Sequence, residues 1–107
     1  MAVPGKLHVS LVTPERELFA GDVDQVTAPG TEGEFGVLVD HAPFMTTLAE
    51  GDVVIFNDGT TRVFQVRGGF ADVNPQGMTI LAEHANEYST TDANHRTRPA
   101  ESSAGVH

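Results

Sequence analysis

GDVVIFNDGTTRVFQVR, residues 51–67, decides the fold class. Two runs rich in valine, isoleucine and phenylalanine, 53–56 and 62–66, flank Asn57-Asp58-Gly59, residues that tolerate the positive φ of a tight turn. The segment reads as a β-hairpin. Downstream, 70–73 and 78–82 repeat the pattern around Asn74-Pro75-Gln76-Gly77, predicting a second hairpin. Upstream, Leu7, Val9 and Leu11 alternate with His8 and Ser10, the period of a half-buried strand that Pro14 closes. Residues 17–28 read as one extended segment. The three-residue step from Val23 to Val26 breaks its alternation and predicts a bulge near Asp24.

Turn signals at roughly ten-residue spacing, with short apolar strands between them, are the pattern of an all-β sandwich or barrel. No stretch of comparable length has helical period. Residues 35–39 and 53–56 are apolar on successive positions, which predicts burial on both faces between two packed sheets and favours a two-sheet β-sandwich. Each large apolar side chain in 7–81 that is buried contributes roughly 1.5 to 3 kcal/mol of transfer free energy. After about Ala85 the chain turns polar and poor in large apolar residues. The expected organisation is therefore a sandwich domain over 1–86 and a disordered or irregular polar tail over 87–107.

A chain of 107 residues with 39% hydrophobic content has room for one core and not two. No run approaches the ~18 apolar residues of a membrane span, and the start, MAVPGKLHVS, lacks both signal-peptide and transit-peptide patterns. The chain reads as soluble and cytosolic, with no direct lipid anchor. Without cysteine there is no disulfide framework or thiolate metal site. The net charge of −9 is concentrated in residues 1–86, where 12 acids face Lys6, Arg16, Arg62 and Arg67. With no cluster of Lys and Arg, nucleic acid is excluded as a partner, and a basic protein surface is the better match.

Between the hairpins and the first strands lies GTEGEFGVLVDHAPF, residues 30–44. Gly30, Gly33 and Gly36 shape a loop that displays Glu32 and Glu34, and Pro43 fixes its far end. The glycine spacing is neither GxGxxG nor GxxxxGK, and two glutamates would repel a phosphate. Asp40-His41 could form an acid-base dyad or half of a metal site. Against that, adjacent strand residues point to opposite faces and no third ligand is in view, so a loop histidine bonded to neighbouring backbone is preferred. His8, His84, His95 and His107 have no ligand spacing, and no metal or cofactor is expected. Gly68-Gly69, between strands, marks a bulge or a close backbone approach.

An ordered set of motifs then resembles the epsilon subunit of the F-type ATP synthase. It comprises Pro14-Glu15, Leu18-Phe19, the GEFG turn at 33–36, His41-Ala42-Pro43, Gly68-Gly69-Phe70 and Ile80-Leu81-Ala82, within about 6–86. The resemblance implies a sandwich of about ten strands and a non-catalytic role in the central stalk, the rotor. It implies as partners the gamma subunit, the membrane rotor ring of c subunits and the catalytic head, with proton flow coupled to ATP synthesis. By position it implies that Glu32, Gly33 and Glu34 face the ring and that Thr13, His41, Pro43, Phe44 and Thr46 lie near gamma. The location implied is the cytoplasmic face of a bacterial inner membrane, peripheral through the complex. Two departures stand out. Leu38-Val39 replaces the usual Leu-Pro. TDANHRT at 91–97, followed by Pro99, replaces the Asp-x-x-Arg-Ala pattern, so the family's inhibitory helical hairpin and its nucleotide site are expected to be absent. The alternative is a free-standing β-sandwich enzyme, or a ligand-binding module, using Asp40 and His41.

Overall fold

A computed structural model describes residues 5–91 and 97–99. Among them are nine strands and no helix: β1 Leu7–Val12, β2 Glu17–Val23, β3 Gln25–Gly30, β4 Gly33–Val37, β5 Phe44–Thr47, β6 Gly51–Asn57, β7 Thr60–Asn74, β8 Gly77–Thr91 and β9 Thr97–Pro99. Both expected hairpins form. Asp58 and Gly59, with φ of 52° and 82°, make the two-residue turn between β6 and β7, the backbone twist that suits an antiparallel pair. Pro75-Gln76 turns β7 into β8, with Asn74 paired to Gly77.

The hydrogen-bonded path runs β2-β1-β8-β7-β6-β3-β4, with β5 added on β7 and β9 on β8. The 15-residue strands β7 and β8 pass through both layers of the sandwich. In one layer β5 pairs with residues 70–73 of β7, and β1 runs parallel to residues 78–81 of β8 and antiparallel to β2. In the other, residues 60–66 of β7 pair with β6, which pairs with β3, which pairs with β4. The crossing is at Gly68-Gly69, where φ is 75° and 115°. A Cβ on Gly69 would fall inside the carbonyl oxygen of Leu81 and 2.8 Å from the Ala82 α-carbon, so the close approach read from the glycine pair is real.

Two ring pairs close the flanks: Phe19 of β2 meets Phe64 of β7 edge-on at 6.2 Å, and Phe35 of β4 meets Phe44 of β5 at 5.2 Å. Between the layers lies a single core containing Val9, Leu11, Val26, Val37, Val53, Ile55, Phe64, Val66, Ala71, Val73, Met78 and Ile80.

Two local expectations are corrected. Residues 17–28 are not one bulged strand. Asp24 is a bend between β2, which pairs with β1, and β3, which pairs with β6, and there the chain changes layers. Nor are 35–39 and 53–56 buried on both faces. Val53 and Ile55 point into the core while Phe56 is exposed, and in 35–39 only Val37 is buried, Leu38 and Val39 lying exposed past the end of β4. Each layer has one face to the core and one outward, so ordinary alternation applies. The tail expected over 87–107 lies largely outside the described residues. Of the rest, 87–91 continues β8, and β9 pairs with residues 89–91.

Gly69→Ala, which combines positive-φ strain with a backbone clash, is expected to cost about 3 kcal/mol or more. Gly33→Ala, at a φ of 127° but in open space, costs only about 1 kcal/mol. Urea midpoints of the two variants check the difference.

Candidate docking surfaces

The acid loop is a two-residue turn. Gly30 pairs with Gly33, leaving Thr31 and Glu32 at the tip and Glu34 opposite Pro29. A Cβ at Gly30 would sit 2.9 Å from the Gly33 carbonyl oxygen and 3.0 Å from the Phe35 ring, so only glycine fits. The stem is tied to the start and end of its neighbours. The Thr31 N–H donates to the Thr47 carbonyl at 3.0 Å, the Thr31 and Thr47 hydroxyls are 2.7 Å apart, and the Ala49 N–H donates to the Pro29 carbonyl at 2.7 Å. Glu32, Gly33 and Glu34 are all exposed, and neither carboxylate has an ion-pair partner among the described residues. A fixed stem presenting two unpaired acids suits a basic surface.

The 38–43 loop is held by its own backbone. The His41 N–H donates to the Leu38 carbonyl at 3.2 Å, Nδ1–H donates to the Ala42 carbonyl at 2.8 Å, and the ring lies 5.2 Å from Phe44. Asp40 takes a φ of 68°. The geometry is that of a loop histidine bonded to backbone, and no hydrogen bond joins Asp40 to His41. Among the described residues no three His, Asp or Glu side chains converge as metal ligands.

The five residues matched to the gamma side do not form one patch. His41 and Pro43 line a hollow of about 410 Å³ beside the 74–77 turn. Phe44 is half-buried against Phe35. Thr13 is only 7% exposed. Its hydroxyl donates to the Arg16 carbonyl at 3.2 Å and accepts from the Glu15 and Arg16 N–H groups at 3.3 Å, closing the β1–β2 turn. Thr13 and Thr46 do share a surface, because each lines one of two hollows, about 450 and 520 Å³, on either side of Phe70.

That surface was missed from sequence. Strand register puts Thr47, Phe70, Leu81 and Val12 in one row across β5, β7, β8 and β1. With Met45 beside it, the row turns large apolar groups to solvent: Met45 is 65% exposed, Phe70 37% and Leu81 38%. The available signal was three successive apolar residues, Ile80-Leu81-Ala82, of which only Ile80 and Ala82 can face the core.

Other charged groups hold the sandwich together. Lys6 Nζ donates to Asp24 at 2.7 Å, Asn57 at 2.7 Å and Asp58 at 2.9 Å. Hydrogen bonds to Asp24, then Asp58, raise its pKa. Asp24 accepts from the Asp58 N–H at 2.8 Å, and that bond, followed by the one from Lys6, holds its pKa below the usual carboxylate value. Arg62 grips Glu87 through two bonds of 2.7 and 2.8 Å while its guanidinium lies 5.0 Å from the Phe19 ring centre. The Glu87 bonds raise its already high pKa.

Comparison with known proteins gives this geometry a lineage. The family profile described as ATP synthase, Delta/Epsilon chain, beta-sandwich domain matches residues 6–87. The chain belongs to this family. The ATP synthase epsilon chain of Caulobacter vibrioides is 68% identical over 82 residues, covering 77% of this chain and 95% of that one. The Hyphomonas neptunium epsilon chain is 65% identical over 89 residues, and this epsilon-family chain spans 82% of itself and 66% of that relative. Among solved structures, a chain of the Euglena gracilis mitochondrial ATP synthase, determined as OSCP/F1/c-ring, superposes with a TM-score of 0.73 at 28% identity, covering 79% of this chain and 55% of that one. A chain of the Tetrahymena thermophila central stalk/c-ring structure, at 19% identity and a TM-score of 0.64, shares the fold, covering 76% of this chain and 66% of that one.

Because the Asp24 pKa is depressed by folding, its contribution is present above the unfolded value and is lost as pH falls through the folded one. Asp24→Asn is therefore expected to be less stable than the parent at about pH 6, with the gap narrowing as pH falls below the ordinary aspartate range, as urea midpoints down through that range will record.

Proposed function

We propose that this chain is the non-catalytic epsilon subunit of an F-type ATP synthase. It links the gamma subunit to the c-subunit ring beneath the catalytic head and couples proton flow to ATP synthesis. Its place is the cytoplasmic face of a bacterial inner membrane, held there peripherally through the complex. The observation that carries the reading is the apolar row of Val12, Leu81 and Phe70, with Met45 beside it, on the outer face of a rigid sandwich. Family membership and the c-ring complex named for the structural neighbour of 28% identity support it.

The division of labour follows from the energetics. Burying exposed apolar area contributes about 25 cal/mol per Å², whereas an exposed ion pair is worth roughly 0.2 to 1 kcal/mol. The apolar face therefore holds gamma, and Glu32 and Glu34 steer and register the contact with basic ring loops. Torque passes through a body whose layers share two continuous strands. The domain boundary near 86 belongs to the same proposal: 1–86 carries both surfaces.

Phe70→Asp should abolish association with gamma while keeping the parent's circular dichroism spectrum and cooperative urea unfolding, with a midpoint lowered only modestly, because the residue lies on the outer face and not in the core. Normal assembly of this variant would remove gamma from this face. For the ring, Glu32→Lys with Glu34→Lys should impair ATP-driven proton pumping in membrane vesicles more than the double Gln variant. The Gln defect should shrink as salt screens the pairs beyond about 8 Å. Parental pumping by the double Lys variant at all salt concentrations would take the ring away from this loop.

A further inference from the structure

The two hollows that flank Phe70 share three residues: Gly69, Phe70 and Glu83. Among the described residues Glu83 is the only charged side chain lining either one. It stands opposite Gly68, and a Cβ there would lie 2.6 Å from Glu83 Oε1, so the carboxylate rests over bare glycine backbone. Among the described residues it has no ion-pair or side-chain hydrogen-bond partner. The free chain thus presents a lone exposed carboxylate on an apolar face.

We propose that Glu83 determines specificity at this face: the gamma subunit places a lysine or arginine against its carboxylate, between the two apolar groups that fill the hollows. This rests on the docking reading above. Covering Phe70, Leu81 and Met45 with a dry surface strips water from the carboxylate beside them. A carboxylate desolvated without a partner disfavours the complex, and one met by a cation is compensated by a short charge-assisted bond. The bare backbone of Gly68 lets the carboxylate lie flat against the strand pair, where its outer side is open to a cation from the partner. An apolar surface without the cation is rejected, so the charge selects among greasy partners.

The test uses F1 complexes from the same organism prepared without epsilon, containing gamma, and titrated with parent, Glu83→Gln and Phe70→Asp chains. Glu83→Gln keeps the shape and removes only the charge. It should weaken binding about 10- to 100-fold with an unchanged urea midpoint. Glu83→Lys should bind hardly at all, and one Lys→Glu or Arg→Glu variant of gamma should restore it. Equal or tighter binding of Glu83→Gln, with Phe70→Asp inactive, would overturn the cation at Glu83 and leave the docking face standing. Normal binding of Phe70→Asp as well would overturn both. Failure of every gamma charge reversal to rescue Glu83→Lys would also overturn the pairing.

Discussion

Everything in this molecule depends on two strands turning a corner together. β7 and β8 stay paired through most of their 15 residues, yet the first half of one and the second half of the other belong to a different layer from the rest. Such a turn needs a place where two backbones come nearly into contact, and Gly68-Gly69 supplies it. The core then fills from both sides with residues at alternate positions. The flanks are closed by Phe19 on Phe64 and by Phe35 on Phe44. Because the layers are joined by continuous hydrogen-bonded strands as well as by packing, they cannot slide past one another without breaking a ladder.

The electrostatics divide along the same lines. Lys6 ties the start of β1 to the bend at Asp24 and to the β6–β7 turn, and Arg62 ties β7 to Glu87 across Phe19. The chain has few cations, and these two serve internally. Its surplus acids remain outside, at the 31–34 tip and at Glu83, which is why complementary basic partners suit it.

The turns and their hairpins were legible because their chemistry is local: Asp58-Gly59 and Pro75-Gln76 can do little else. The bend at Asp24 was half legible. Broken alternation marked the spot, but whether a strand bulges or leaves its sheet depends on partners far away, here Lys6 and Asp58. Runs such as 53–56 were misread as doubly buried, since a flat apolar sequence does not say whether Phe56 meets a second layer or water. The acid tip was visible as composition. The apolar row was not, because it exists only as register: Val12, Leu81 and Phe70 come from three strands, with Met45 beside them on a fourth.

The parallel pairing of β1 with β8 bears on when that row comes into being. Val12 and Leu81 are lateral neighbours although roughly seventy residues separate them along the chain. The first strand pairs early with β2 on one edge, but its other edge must wait for the eighth, so contacts of long sequence separation are many and folding is slow by the standard of helical domains. A nascent or truncated chain lacking β8 has Val12 and Phe70 on strands that nothing joins. Assembly is thereby gated by synthesis: the docking face cannot recruit a partner until nearly the whole sandwich has been translated.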